Sequence, residues 1–407
     1  MGTITIHDNW YIKPLELCNA EKYIVDINNI SLATTGFVHA WESNLFFDEA
    51  CQLIINAIKL FQLGYFDCAF YSLRQSIETS IGIIYLTANP NKEDEWKALL
   101  GGFESGKMTD WLKNNEPTFM DIREKMHGFF DNVWNVQKRM NKYIHKQGYA
   151  SFYQVTRNPF LVQQKGTSES QIIMDFEYYL KLCIGAVAVY RLAIDALPVV
   201  LMDEDILLRT GDLITEPYSQ EFVDTYIGSE NIEAFKTTEI YKDFYESLQR
   251  NEKRNEAVYN LIHFQYYNRE KMDDYMTQLH LCSFADRIVM CLFTISNKIS
   301  YVFVDGIHWY HSDVKSSNND NSITMGLSYF ENLFSNKNND FNLYYHNAFL
   351  SRCQINGNYT YFEHNETLGE KEIECVKLIA NQLSNLANQM DSYFSSLVSS
   401  QLNHDNQ

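Results

Sequence analysis

The sequence predicts a mainly α protein. A helical bundle is expected over residues 43–200, after an irregular segment 1–42. A second, mostly helical region with a small β-hairpin is expected over 201–407. Three observations carry this reading. Only 6 Pro and 17 Gly occur in 407 residues, so little interrupts a helix. Several long stretches repeat apolar residues at i, i+3 and i+4. Asn356-Gly357 lies between two short β-prone runs, Cys353–Ile355 and Asn358–Phe362, and reads as a hairpin turn.

Residues 1–40 read as irregular, with short strands at Thr3–Ile6 and Tyr23–Ile27. A helix starts at Ser43, because Leu45, Phe46, Ala50, Leu53, Ile54, Ala57, Ile58 and Phe61 share one face, and Gly64 ends it. A second runs from Tyr65 to Leu86 with Ala69, Phe70, Leu73, Ile77, Ile81 and Ile84 inward, stopped by Asn89-Pro90. The polar link 90–116 carries short helical turns. A long helix enters at Pro117 and ends at Gly148, with Met126, Phe129, Phe130, Val133, Met140 and Ile144 as its apolar stripe. A fourth helix spans Ile172–Leu197 and is closed by Pro198. Leu180–Leu201 is the most apolar stretch, but Lys181, Arg191 and Asp195 interrupt it, so it reads as a core helix rather than a membrane span. Farther on, Asn231–Tyr267 reads as one or two amphipathic helices and Met272–Val304 as a long apolar helical region. Residues 315–342 are an Asn- and Ser-rich loop, and Glu366–Leu397 is the last helix.

Bulk properties narrow the function. With 52 Asp and Glu against 33 Lys and Arg, the net charge is −19. That argues against passive binding along nucleic acid, which needs many cationic contacts. Eight scattered cysteines form no C-x-x-C pair, and no signal peptide opens the chain; a reducing cytoplasm is the expected setting. Phosphate-loop, dinucleotide, nucleophile-elbow and H-E-x-x-H motifs are absent from the sequence. His308 and His311 have a metal-like spacing without a cluster to complete it, so neither a metal nor another cofactor is expected.

Against this acidic background, no Asp or Glu occurs between Asn132 and Ser168, while Lys138, Arg139, Lys142, Lys146, Arg157 and Lys165 all do. Four of the six crowd into Gln137–Gln147 around His145. On a helix, Lys138, Asn141 and Lys142 precede His145 by seven, four and three positions and share one polar stripe, flanked by Arg139 and Lys146. Such a local field attracts anions, phosphates first. A histidine that can move a proton, set among cations that can hold a phosphorane, supplies the parts for metal-independent RNA cleavage by the neighbouring 2′-hydroxyl. The plainer reading is a solvated helix face whose cations complement the helix dipole.

The segment Arg139-Met-Asn-Lys-Tyr-Ile-His145 resembles the R-x(4–6)-H motif of the HEPN superfamily. Tyr71-Ser-Leu-Arg74-Gln-Ser-Ile-Glu78 is similar to a polar element on an earlier helix of related bundles. The resemblance covers roughly residues 43–200. It implies a HEPN-like bundle, and a ribonuclease of a bacterial toxin or anti-phage defence system, with Arg139 and His145 catalytic. Lys138, Asn141, Lys142 and Lys146 would hold RNA, with Arg74 and Glu78 in support. It also implies a homodimer or other even-numbered assembly with the motifs facing each other. A regulator or trigger would act through the second region. On an ideal helix Arg139 and His145 lie ~120° apart, so the helix end is expected to distort or Lys138 to share the Arg role. The alternative is a non-catalytic HEPN-like scaffold that holds a partner protein or nucleotide. Trp134, Val136 and Tyr143 lie off the main apolar stripe and are expected to pack against a second surface, either another helix or a partner such as a second copy. For Arg74 and Glu78 the plainer reading is an intrahelical ion pair.

Overall fold

A computed structural model describes residues 14–98, 100–101, 103–147, 169–211, 213–304, 308–318, 327–335 and 337–404. The contacts divide the chain into two compact units, Met1–Glu252 and Lys253–Gln407. Packing therefore places the boundary past the expected one at residue 200. The physical reason lies in one continuous apolar core that runs from Leu15 to Tyr241 and recruits short helices on both sides of the bundle. No helix among the described residues is long and apolar enough to cross a membrane.

The first unit begins with α1 (Ala20–Leu32), a helix where a strand at Tyr23–Ile27 was expected. Tyr23, Ile27 and Ile30 are buried at i, i+4 and i+7, a helical period that outweighs their β propensity. The expected strand at residues 3–6 lies outside the described residues. Next come α2 (Ser43–Gln62) and α3 (Phe66–Ala88). Every residue expected inward on α3 is buried. On α2, Ala50, Ile54, Ala57, Ile58 and Phe61 are buried as expected, but Leu45 is exposed, Phe46 and Leu53 are half-buried, and Phe47 and Cys51 take the inward face. Gly64 ends α2 at φ 86°: the Tyr65 N–H donates to Leu60 O and the Gly64 N–H to Phe61 O, a Schellman motif. The 90–116 link carries α4 (Glu93–Lys97) and α5 (Ser105–Asn115).

The expected long third helix is two helices, α6 (Pro117–Lys125) and α7 (His127–Ile144), which break at Met126. Pro117 sits at the entry of α6, capped by the Glu116 carboxylate on the Phe119 N–H. Helix α8 (Glu169–Arg191) is the core helix. Two of the charges that interrupt the apolar run are themselves buried. Arg191 Nη2 donates to Asn44 Oδ1 at 3.0 Å, and Asp195 Oδ1 accepts from the Leu197 N–H at 2.8 Å. Burial lowers the arginine's pKa and raises the aspartate's.

Five short helices complete the unit: α9 (Leu197–Val200), α10 (Glu204–Leu207), α11 (Gln220–Phe222), α12 (Ser229–Phe235) and α13 (Glu239–Gln249). Between α11 and α12 lies a single π-helical turn, Val223–Ile227. It presses on α8 at Gly185, where a Cβ would stand 2.0 Å from Tyr226 O.

The second unit is mixed. Its helices are α14 (Glu256–Phe264), α15 (Met272–Thr277), α16 (Phe284–Ile295), α17 (Leu327–Phe334) and α18 (Glu370–His404). Met272–Val304 is thus two helices and a strand rather than one helical region. Its strands are β1 (Tyr266–Tyr267), β2 (Ile299–Val304), β3 (His308–Ser312), β4 (Leu343–Tyr345), β5 (Ala348–Ile355) and β6 (Asn358–His364). They form one six-stranded sheet in the order β1-β3-β2-β6-β5-β4, antiparallel except for β1 beside β3.

The expected hairpin is β5–β6, and Asn356 and Gly357 both take the positive φ that a tight turn of this hand requires (48° and 84°). Alternation sorts the faces: Val302 and Phe362 join the core of α16 and α18, while Phe303 and Tyr361 join Phe330 and Phe334 of α17.

Candidate nucleic-acid interface

Helix α7 buries Phe129, Phe130, Val133, Val136 and Met140 and turns its charges outward. Its last turn is fixed by aromatic packing. Tyr143 stacks on Phe70 of α3 at 5.0 Å and 11°, and Phe70 meets Tyr179 of α8 edge-on at 5.7 Å. Val136 and Tyr143, expected to seek another helix or a partner, find other helices of this unit, because α7 packs along more of its circumference than one stripe. Only Trp134 of the three is exposed, at 52%.

The helix ends before Gly148, which lies outside the described residues together with Arg157 and Lys165. Ile144 is its last residue and His145 its C-cap, at φ −90° and ψ 6°. The Gln147 N–H donates to Lys142 O at 2.9 Å and the Lys146 N–H to Tyr143 O at 3.4 Å. This repeats the Schellman arrangement that closes α2. Here a lysine, Lys146 at φ 52°, holds the left-handed position usual for glycine. The His145 N–H still donates to Asn141 O at 2.9 Å, so the chain leaves the helix only after His145, at Lys146.

The cations differ in their surroundings. The Lys138 ammonium lies 3.1 Å above the Trp134 ring centroid, a cation–π pair at i, i+4. Arg139 hydrogen-bonds Tyr179; burial raises the pKa of that hydroxyl and the arginine opposes the rise. Lys146 pairs with Asp67 of α3. Lys142 and His145 are exposed, and among the described residues neither forms an ion pair with a carboxylate. Asn141 is half-buried. Its Oδ1 and the Oδ1 of Asp67 are buried without a hydrogen-bond partner, so this end also offers two acceptors beside its cations. The unbonded carbonyls of a helix C-terminus carry partial negative charge, so part of the basic character here offsets the dipole before it can attract an anion.

Arg74 and Glu78 serve each other instead. Arg74 Nη2 stands 2.7 Å from Glu78 Oε1, and Ser105 Oγ donates to the same oxygen at 2.9 Å. That is the intrahelical ion pair, and among the described residues neither partner bonds to the α7 cations. Sequence reading missed Asp67, Tyr179 and Phe70, which lie far from α7 in the chain. The Trp134–Lys138 pair was legible as an i, i+4 neighbour.

A second constellation, in the other unit, has the look of chemistry. Ser351 Oγ lies 2.8 Å from His364 Nε2, and His364 Nδ1 lies 2.7 Å from the Glu366 carbonyl. The carbonyl can only accept, so Nδ1 carries the proton and Nε2 accepts from the hydroxyl. This is a nucleophile–base hydrogen bond, but both residues are 0% exposed. Burial holds the imidazole neutral, its pKa pushed down to about 4. With no access for a substrate, the pair pins β5 to β6.

Comparison with known proteins gives no identity: no family model, no curated protein and no solved structure matches the chain.

Proposed function

We propose that the C-terminal end of α7 binds and cleaves RNA, making the protein a metal-independent endoribonuclease in the bacterial toxin or anti-phage setting that the HEPN resemblance implies. The observation that carries this reading is His145 standing exposed beside Lys142, with no carboxylate paired to either among the described residues. In the proposed reaction His145 takes the proton of a 2′-hydroxyl or returns one to the leaving 5′-oxygen, and Arg139 stabilises the phosphorane. The products are a 2′,3′-cyclic phosphate and a free 5′-hydroxyl. Lys138, Asn141, Lys142 and Lys146 position the backbone. A second copy facing the helix end would exclude water from it, which is the reason to expect a homodimer. Total tRNA and mRNA incubated with the pure protein in EDTA should be cut, and the His145→Ala variant should leave them intact. Equal cutting by both proteins, or none by either, refutes the nuclease.

The second reading is a non-catalytic scaffold for a partner protein or nucleotide. It is favoured by Lys138, Arg139 and Lys146 already having partners in Trp134, Tyr179 and Asp67. Expression in a bacterial host separates the two. Toxicity that disappears with Arg139→Ala and with His145→Ala belongs to the nuclease, and harmlessness of the native chain to the scaffold.

A further inference from the structure

A cleft of about 610 Å³ opens between α2, α3 and the α4–α5 segment. Its volume suits a small organic ligand. Two helical stripes make the floor: Leu45, Phe46 and Glu49 on α2, and Glu78, Thr79 and Gly82 on α3. Trp96 of α4 forms a wall, tilted against Phe46 at 5.1 Å. Leu45 is 68% exposed and Trp96 38%, so large apolar surface stands unpartnered around a hollow.

Gly82 is the observation that points to an occupant. Glycine weakens a helix interior, and close packing is the usual compensation. That compensation operates at Gly185. At Gly82, by contrast, an added Cβ would meet nothing within 4 Å. The missing side chain deepens the cleft floor and serves no contact within the chain.

Charge decides what kind of occupant fits. Glu42, Glu49 and Glu78 line the cleft with a single cation, Lys97, which is already shared between Glu42 and Glu93. Glu78 is held by Arg74 and Ser105. Glu49 forms no ion pair among the described residues. The cleft thus offers a free carboxylate beside aromatic faces, which attracts ammonium groups and repels anions.

We propose that this cleft binds a small organic cation with a flat apolar body, its ammonium at Glu49 and its body over Gly82 against Phe46 and Trp96. The proposal is independent of the α7 end and assigns Glu78 to this cleft rather than to RNA chemistry.

Three probes of one shape test it on the full chain by calorimetric titration: tryptamine as the cation, tryptophol as the neutral analogue and indole-3-acetate as the anion. Tryptamine should bind at least tenfold more tightly than tryptophol, and indole-3-acetate should not bind. Glu49→Gln should bring tryptamine to the level of tryptophol. Gly82→Leu, which fills the floor from a helix-favouring position, should abolish binding while circular dichroism stays native. Equal binding of all three probes, no binding of any, or unchanged tryptamine binding by Gly82→Leu overturns the proposal. A dimer that Gly82→Leu dissociates, with no response to tryptamine, gives the cleft to a second copy and overturns it too.

Discussion

Replacing Gly185 by alanine should destabilise the first unit, because α8 has no room for a side chain at that position. The new Cβ would stand 2.0 Å from Tyr226 O and 2.9 Å from Tyr226 C, well short of ordinary contact. Both offending atoms are backbone, so no rotamer change relieves the clash. Helix α8 or the π-helical turn has to retreat, in a core where Cys183, Ile184 and Val187 are each 0% exposed. Overpacking of this kind costs about 1–3 kcal/mol, with rigid sites at the top of the range. Alanine returns up to about 1 kcal/mol through helix propensity, which leaves a net loss of roughly 2 kcal/mol.

Gly82→Ala is the matched control. It gains the same propensity with nothing within 4 Å to strike, so it should stabilise by about 0.5–1 kcal/mol. Urea unfolding followed by tryptophan fluorescence reads both, since Trp41, Trp96, Trp111 and Trp134 all lie in this unit. The midpoint should fall for one variant and rise for the other at unchanged slope. If Gly185→Ala stays within ~0.5 kcal/mol of the native chain, or Gly82→Ala loses as much, the contrast between a filled and an open glycine is refuted.

Two further outcomes are expected. His364 titrates near 6.5 when unfolded but at about 4 in its buried place, so only the unfolded state takes up a proton between those values. The second unit should therefore hold full stability above pH 6.5 and lose up to roughly 3 kcal/mol as pH falls toward 4. Burial alone would raise the Glu372 carboxyl, but Lys298, Ser296 and the Gly369 N–H outweigh it and bring it to about 2; its contribution is intact above pH ~4.5 and is lost only below that, and a flat profile between pH 6.5 and 4.5 contradicts the His364 assignment. Lys146→Gly relieves a left-handed lysine at the cost of an exposed ion pair. It should raise stability by up to about 1 kcal/mol while weakening RNA retention in a filter assay; RNA retention equal to native removes Lys146 from the interface.

The parts legible in the sequence are those set by local rules. The inward face of α3, most of that of α2, the stop at Gly64 and the Asn356-Gly357 turn all follow from periodicity and turn chemistry. Tyr23–Ile27 misled because β-branched and aromatic residues suggested a strand, while the helical period became visible only when Ile30 was counted with them. Met272–Val304 misled because a continuous apolar run does not distinguish a buried helix from a buried strand.

At the candidate interface, residue types and outward direction were legible on α7. What they touch was not. Asp67 and Tyr179 reach Lys146 and Arg139 from helices remote in sequence, and the helix stopped at a lysine although a glycine stood two positions on. Arg74 and Glu78 satisfied a motif-like pattern and proved to be a pair bonded to each other.

The sheet of the second unit has a consequence for how copies of the chain can meet. Its two outer strands are its shortest: β1 has two residues and β4 three. An edge that short exposes too few unpaired backbone groups to template another strand. The strands β2 and β6 lie inside the sheet, while β4 covers only Ala348–Leu350 of β5 and the Asp340 carbonyl accepts from the Arg352 N–H beyond it. Among the described residues a newcomer finds only short runs of unpaired backbone, which disfavours ribbon-like polymerisation through this sheet. Association through it then leans on side chains, where shape and charge can select the partner.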